Sequence, residues 1–451
     1  MVKSKENFIC SSCGATFSKW SGKCENCDEW NTLIEYDQGD VAEAKSALAK
    51  GQISGKKLDT VSINDIVPSD AKTRILTGFK DLNEVLGGGF LPGSVSLLTG
   101  QPGIGKSTLL MQICSFVSES APALYISGEE SAGQVKLRAE RLGAKSEQLH
   151  FASSTSGNDI AKTIESGDFK LVIVDSIQTL SLSELSSAPG TVSQVTNCGN
   201  LIIRAAKSSD TAVVIVGHVT KDGSLAGPKV LEHLVDVVMN FEGDRYGGFK
   251  TVRAIKNRFG STTEVAIYEM NQAGLAEVQN PSAALLAERQ NNDGSIILAT
   301  LEGTRPILVE IQALATPSAF GYPKRATSGF DINRLNLLIA VLERRTRLKL
   351  NDKDIFINVV GGLKIQDSAA DLAVCLAIAS AVAKRKLPED YVVFGEVGLG
   401  GEIRSAFRPD QRISEAKKIG FSHAIGPATI KDKFVIPVRD LRTTLVKYMN
   451  E

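Results

Sequence analysis

Nine consecutive residues, Gly100-Gln101-Pro102-Gly103-Ile104-Gly105-Lys106-Ser107-Thr108, carry the spacing G-x-x-x-x-G-K-S that cradles the phosphates of a nucleoside triphosphate. The chemistry follows from the residue types. Glycines let backbone N–H groups close on an anion with no side chain in the way. Lys106 is placed to reach the outer phosphates, and the Ser107 hydroxyl to ligate Mg²⁺. Further on, Leu171-Val172-Ile173-Val174-Asp175 sets a carboxylate after four apolar residues, the pattern that orders Mg²⁺ and its water. Ser127-Gly128-Glu129-Glu130-Ser131 supplies two carboxylates at the end of another apolar run. Glu129 is the candidate to polarise the attacking water, with Glu130 the alternative. Gly217-His218 ends a further run, and His218 is either a sensor of the γ-phosphate or a hydrogen-bonded structural histidine.

A second chemistry sits near the N-terminus. Cys10-x-x-Cys13 and Cys24-x-x-Cys27 bring four thiols at the spacing that suits tetrahedral Zn²⁺. A structural zinc is expected, with a redox pair or an iron–sulfur site as the rivals, and four cysteines leave no open coordination position for a catalytic zinc. About 30 residues hold no core of their own without such a staple. Trp20 and Trp30 flank the ligands and are expected to cover this small core, with stacking on bases or on a partner as the alternative. Lys19 and Lys23 leave phosphate contact open.

Elements must hold these groups in place. Apolar runs at Val95–Thr99, Ala123–Ser127, Leu149–Ala152, Leu171–Asp175, Ala212–Gly217 and Val235–Phe241 read as strands, with helical patterns such as Ser107–Phe116, Ser131–Leu142 and Ser193–Lys207 between most of them. That alternation predicts a mostly parallel sheet covered on both faces. In such a sheet, ligands bind beyond the carboxyl ends of the strands, where the phosphate and Mg²⁺ candidates fall. Two loops there are candidates for nucleic acid: Ser176–Val195, rich in hydroxyls but without Lys or Arg, and Val219–Val230 with Lys221 and Lys229.

The whole chain sets bounds. At 451 residues it makes two or three domains, and 51 basic against 51 acidic residues leave any nucleic-acid binding to local patches. Hydrophobic residues at 43% and charged residues at 23% are ordinary for a soluble globular protein. No run of about 18 apolar residues predicts a membrane span. Met1–Cys13 carries no apolar core of signal-peptide type, and a cytoplasmic location is expected. Cys114, Cys198 and Cys375 read as small buried hydrophobes. The expected division is a zinc module over 1–35, a flexible tether over 36–60 with one short helix around Val41–Lys50, a nucleotide core over 61–280, and a C-terminal domain over 281–451.

Leu76-Thr77-Gly78-Phe79-Lys80-Asp81-Leu82-Asn83 ahead of Gly87-Gly88-Gly89 resembles the entry to RecA-like and KaiC-like ATPases. The resemblance becomes specific at Lys256-Asn257-Arg258-Phe259-Gly260. The order of four-cysteine module, RecA-like core, Lys-Asn-Arg-Phe-Gly motif and Lon-like C-terminus resembles the bacterial RadA (Sms) DNA repair family over nearly the whole chain. The resemblance implies an α/β fold: a zinc knuckle, a RecA-like mostly parallel sheet, and a Lon-protease-like α+β domain. It implies a DnaB-like homo-hexamer driven by ATP along single-stranded and branched DNA, acting beside the RecA recombinase. It also implies that Lys256 and Arg258 reach into a neighbour's ATP site, the alternative being direct contact with backbone phosphate.

From about Arg334 onward the chain resembles the proteolytic domain of Lon, through Val359-Val360-Gly361-Gly362, Asp367–Leu376 and Phe394–Ile403. Lon cuts peptides with a Ser–Lys dyad. Laying its nucleophile motif on Asp367-Ser368-Ala369-Ala370 puts Ala370 at the serine position, and the lysine position falls near Asp410 and Arg412. Alanine has no nucleophilic atom, and arginine stays protonated. The expectation is a protease fold kept as a scaffold, with Arg344, Arg345, Arg347 and Lys349 as a candidate face for duplex DNA or a solvated helix end.

Overall fold

The structure, a computed structural model, describes residues 7–10, 16–17, 19–25, 29–36, 60–62, 74–218, 228–243, 248–318 and 322–449. Cys13, Cys27, Lys221 and the helix expected around Val41–Lys50 lie outside these residues. The chain divides into two compact units, at residue 69.

In the first unit β1 (Asn7–Cys10) pairs antiparallel with β2 (Thr16–Phe17) and β3 (Leu33–Tyr36). Cys10, Cys24 and Leu33 are buried together, with Phe8 and Phe17 packed against them. The aromatic cover expected from Trp20 and Trp30 is not what forms: they are 58% and 71% exposed. Phe8 and Phe17, on paired strands and in register, already fill the apolar side of this small core, so the larger indoles are left outside.

The second unit starts with α1 (Lys80–Val85), β4 (Val95–Gly100), α2 (Lys106–Val117), β5 (Ala123–Ser127), α3 (Ala132–Arg141), β6 (Leu149–Ser153), α4 (Gly157–Glu165), β7 (Leu171–Asp175), α5 (Val192–Ser209) and β8 (Ala212–His218). There follow α6 (Pro228–Leu234), β9 (Val237–Gly243), β10 (Lys250–Asn257), β11 (Val265–Asn271) and β12 (Gly274–Glu277). These strands make one nine-stranded sheet in the order β12-β11-β10-β9-β4-β8-β7-β5-β6. From β9 to β6 all neighbours are parallel, and β10 to β12 extend the edge antiparallel. The central strands β4, β5 and β7 are buried along their full length, which is why they read as unbroken apolar runs rather than alternating ones. Alternate residues still divide between two cores. Leu98, Tyr125, Ile173 and Val214 face the α2 side, while Leu97, Leu124, Val172 and Val213 face the side covered by α4 and α5.

The chain continues through α7 (Pro281–Leu286), β13 (Ser295–Glu302), β14 (Arg305–Pro317), β15 (Arg325–Ser328), α8 (Ile332–Thr346), β16 (Lys353–Val359) and α9 (Ala370–Ala383). It ends with β17 (Tyr391–Val393), β18 (Glu396–Val397), β19 (Ile403–Arg404), α10 (Pro409–Ile419), β20 (His423–Pro427), β21 (Val435–Val438) and α11 (Leu441–Met449). A seven-stranded mixed sheet runs β15-β16-β14-β13-β17-β20-β21. The helix α9 is apolar on nearly all sides because most of it lies inside: from Ala370 to Ser380 every residue is buried. This sheet is tied to the nine-stranded one by polar contacts. Arg253 of β10 pairs with buried Glu302 of β13, Thr304 N–H donates to Thr263 O (2.8 Å), and Arg305 pairs with Asp81 of α1. No helix among the described residues is long and apolar enough to cross a membrane.

Candidate functional site

The phosphate loop leaves the carboxyl end of β4 and enters α2 at its first residue, Lys106. Two glycines are required by geometry. Gly105, at the helix N-cap, has φ +119°, and a Cβ there would stand 2.9 Å from Met270. A Cβ on Gly100 would stand 2.5 Å from Phe241 O. Gln101, Pro102 and Gly103 are exposed, Ile104 is buried beneath them, and Thr108 follows in the first turn. The loop therefore presents its N–H groups and the helix N-terminus outward while Ile104 pins it to the core.

Lys106 is buried, and its Nζ donates to Gly100 O at 2.7 Å and Gln101 O at 3.1 Å. Burial lowers its pKa to about 8, against the opposing pull of Asp175 and Glu129. Ser107 Oγ donates to Asp175 Oδ2 at 2.8 Å, so the hydroxyl and the carboxylate expected to share a metal ion are brought together. Tyr125 OH donates to the same oxygen at 2.5 Å. Mg²⁺ favours oxygen donors of this hard type, and Ser107 with Asp175 fits it.

The Glu129–Glu130 pair is separated by its partners. Glu130 is clamped by Arg138 of α3 through both of its oxygens. Glu129 instead faces the loop ends: Ser176 Oγ donates to its Oε1 at 2.5 Å, and His218 Nε2 lies 3.4 Å from the same atom. His218 and then Ser176 hold the Glu129 carboxyl at about 2, against a burial that alone would raise it. His218 is joined to the next loop as well, since Gln178 Nε2 donates to its carbonyl (3.4 Å). The loop 180–191 is organised by buried Gln194, whose amide accepts from Leu182 N and donates to Leu182 O, Leu185 O and Ser187 O.

Lys256 and Arg258 are elsewhere. Asn257 pairs with Val237, at the amino end of the parallel strands, whereas Gly100 pairs with Phe241 at the carboxyl end. Lys256 Nζ closes the end of α6 by donating to Glu232 O, His233 O and Val235 O. Burial and then Arg258 lower its pKa. The Arg258 guanidinium is 52% exposed and stands 3.5 Å from buried Asp236. Of the nucleic-acid candidates, Lys229 is exposed on α6. Arg344, Arg345, Arg347 and Lys349 are all exposed at the end of α8, with Arg345 Nε donating to Leu399 O at 3.2 Å.

In the C-terminal sheet, Ala370 is buried at the start of α9. Ser368 Oγ donates to Glu396 Oε2 (3.0 Å), a carboxylate rather than an amine. Arg412 is fully buried, with one guanidinium nitrogen on Asp367 Oδ2 at 2.5 Å and on Ala299 O at 2.8 Å.

With this geometry in view, the chain compares with known proteins as follows. A family model described as an AAA domain matches residues 68–224, one described as a rubredoxin metal binding domain matches 8–35, and one described as subunit ChlI of Mg-chelatase matches 334–430. The DNA repair protein RadA of Halalkalibacterium halodurans is 44% identical over 97% of this chain and 95% of that protein. The DNA repair protein RadA of Bacillus subtilis is 46% identical over the same shares.

The chain belongs to the RadA family.

A crystal structure of the RadB recombinase covers 46% of this chain and all of its own, at 21% identity and a TM-score of 0.37. Membership in the RadA family makes the core a RecA-like ATPase domain, with ATP and Mg²⁺ as its implied ligands and a metal-binding ribbon ahead of it. The ribbon's residues fit such a metal: Cys10 and Cys24, the first thiols of the two pairs, are buried in one cluster, Cys10 from the end of β1 and Cys24 from beyond β2. Sequence reasoning missed Tyr125, Ser176, Gln178 and Gln194. A tyrosine inside an otherwise apolar strand was the signal for the first. The other three depend on how two loops fold over the strand ends, which no local pattern encodes.

Proposed function

We propose that this chain is the subunit of an ATP-driven ring that moves on single-stranded and branched DNA in recombinational repair, alongside the RecA recombinase. One observation carries the reading: the nucleotide residues and Arg258 lie at opposite ends of the same sheet. An arginine so placed has no path to its own phosphates and suits a neighbour's, as a ring of like subunits requires.

In this reading the loop amides and Lys106 hold the triphosphate, and Ser107 with Asp175 hold Mg²⁺, which neutralises charge on the transferring phosphoryl group. Glu129 orients the attacking water through a carboxylate that stays ionised, while Glu130 is committed to Arg138. His218 touches Glu129 by its ring and Gln178 by its carbonyl, so a change at the γ-phosphate reaches the loop 176–195 within two contacts. That loop and the segment containing Lys221 and Lys229 are the DNA contacts. Arg258, from the adjacent subunit, stabilises the transition-state charge, and Lys256 anchors the strand end that carries it. Cys10, Cys13, Cys24 and Cys27 hold a structural Zn²⁺. Residues 61–280 and 281–451 act as motor and scaffold, and the scaffold has no peptidase activity.

ATP-dependent strand displacement and branch migration on forked substrates test the motor directly. ATP hydrolysis without displacement would turn the reading into a nucleotide-switched mediator. Cleavage of an unfolded peptide would restore the Lon-type protease instead.

A further inference from the structure

Every residue of β5 is buried, and one of them is a tyrosine. A phenol this deep has to find a partner or carry the cost of a desolvated hydroxyl. The strand register supplies the partner. β5 and β7 run parallel, with Tyr125 beside Ile173 and Ser127 beside Asp175, so the long side chain of Tyr125 reaches forward along the strand to the carboxylate two positions on. The contact is a hydrogen bond of 2.5 Å from its OH to Asp175 Oδ2. The ring has little freedom. It packs in the core between the sheet and α2, and its outer side forms part of the wall of a cavity of 330 Å³ with Val135, Ala139, Leu149 and Phe151.

We propose that Tyr125 is a positioning residue for the metal carboxylate. Its hydroxyl fixes Oδ2 of Asp175 before nucleotide arrives, and the other oxygen would be left available to the Mg²⁺ that Ser107 and Asp175 would hold. This rests on the ATPase reading given above. Two physical points carry it. The terminal torsion of an aspartate is broad, so an Asp side chain at a strand end is not oriented by its own rotamer. The other donor to the same oxygen, Ser107 Oγ at 2.8 Å, would also have to ligate the metal through its own oxygen, which leaves the phenol as the donor with no second task. Groups that hydrogen-bond a metal ligand from behind set its orientation and basicity, and their loss commonly weakens metal affinity by about tenfold or more.

Tyr125→Phe tests this, since it keeps the ring in the core and removes only the hydroxyl. The full chain is titrated with a fluorescent ATP analogue, first without divalent metal and then across a Mg²⁺ series. The expected result is unchanged metal-free nucleotide affinity and a Mg²⁺ midpoint raised about tenfold, with the Mg²⁺ dependence of turnover displaced in parallel. Fluorotyrosine at position 125, a stronger donor, displaces the midpoint in the opposite direction. A role in packing alone predicts a lower Tm with both Mg²⁺ curves unmoved, and that result overturns the proposal. If the wild-type chain binds the nucleotide with no Mg²⁺ dependence at all, the ATPase reading falls with it. A wild type that responds to Mg²⁺ and a variant that matches it sink the positioning role alone.

Discussion

Lys106 and Arg258 sit at opposite ends of one sheet. Lys106 Nζ is bonded to Gly100 O where β4 ends, and the Arg258 guanidinium lies beside Asp236, whose Oδ2 accepts the N–H of Val95 where β4 begins. Val95 to Gly100 spans a strand of about 16 Å at 3.3 Å per residue. No side-chain rotation closes that gap within one subunit. The expected behaviour of Arg258→Ala is therefore a chain that binds nucleotide normally, assembles, and hydrolyses ATP at least ~100-fold more slowly. Mixed with wild type, it should depress turnover beyond its own fraction. A loss strictly proportional to the mutant fraction would mean that each subunit works alone.

Lys106 is the second test. A lysine whose folded pKa is lowered to about 8 carries fewer protons than its unfolded counterpart between pH 8 and the ordinary value near 10.4. The sign of the linkage follows: burial of Lys106 costs stability below pH 8, and the cost fades as pH rises through that window. Phosphates replacing Gly100 O and Gln101 O as its partners raise the pKa again. Nucleotide binding near pH 9 should thus take up a proton, visible as a calorimetric enthalpy that changes with the ionisation heat of the buffer. In Lys106→Ala both the proton uptake and the hydrolysis should vanish.

Glu129 is held at about 2 by His218 first and Ser176 second. With its pKa held that low it stays a carboxylate well into the acid range, so an acid limb of turnover at about pH 5–6 would not belong to it in the wild type. His218→Gln removes the leading cause and lets the carboxyl rise toward the usual range near 4.3. The pH–rate profile of that variant should lose activity at higher pH than wild type on the acid side. Glu129→Gln should retain nucleotide affinity and lose turnover by about 10² or more, whereas Glu130→Gln, which breaks the clamp on Arg138, should act mainly on stability.

Trp20 and Trp30 are the chain's two tryptophans, and both are exposed in the metal-binding ribbon. Intrinsic tryptophan emission therefore reports on that ribbon alone. It should be water-like and readily quenched by acrylamide in the intact protein. A blue-shifted, protected emission would restore the expectation that these rings cover the metal core.

The sequence made the nucleotide end legible because that chemistry is local. Gly100 to Thr108 run without a break from the end of β4 into α2, Asp175 closes an apolar strand, and both land where parallel strands emerge. The strand limits at Ala123–Ser127 and Leu171–Asp175 coincide with the observed ones, since Pro122 and Gly128 bound the first run and Lys170 and Ser176 the second. What lay hidden depends on register between distant strands. Tyr125 meets Asp175 only because β5 and β7 are neighbours, and the antiparallel edge β10 to β12 follows from pairing that the alternation of runs does not specify. The tryptophans misled for a related reason. In a module this small, two phenylalanines on paired strands suffice for the core.

The place of the missing protease dyad yields the last prediction. Asp367 receives Arg412, Thr300 Oγ1 and Leu301 N on one oxygen and Ala369 N on the other. Burial pushes this carboxyl up, yet Arg412 and the N–H donors outweigh it and the pKa ends below the usual range. A lowered folded pKa gives stability that is present above the unfolded value near 3.9 and is lost as pH falls through the folded one. Arg412 is fully buried, so truncating it strands the carboxylate without its counter-charge, and removing one partner of such a pair costs about 3–5 kcal/mol. Arg412→Met should lower Tm sharply near neutral pH and flatten the loss of stability with acid, because the buried carboxyl no longer has a depressed pKa to titrate, while the double change Asp367→Asn with Arg412→Met recovers part of the Tm. Ala370→Ser, by contrast, should leave peptide cleavage at zero. The hydroxyl would be added at a buried helix start, where Arg412 stays charged against Asp367 and offers no base to take its proton.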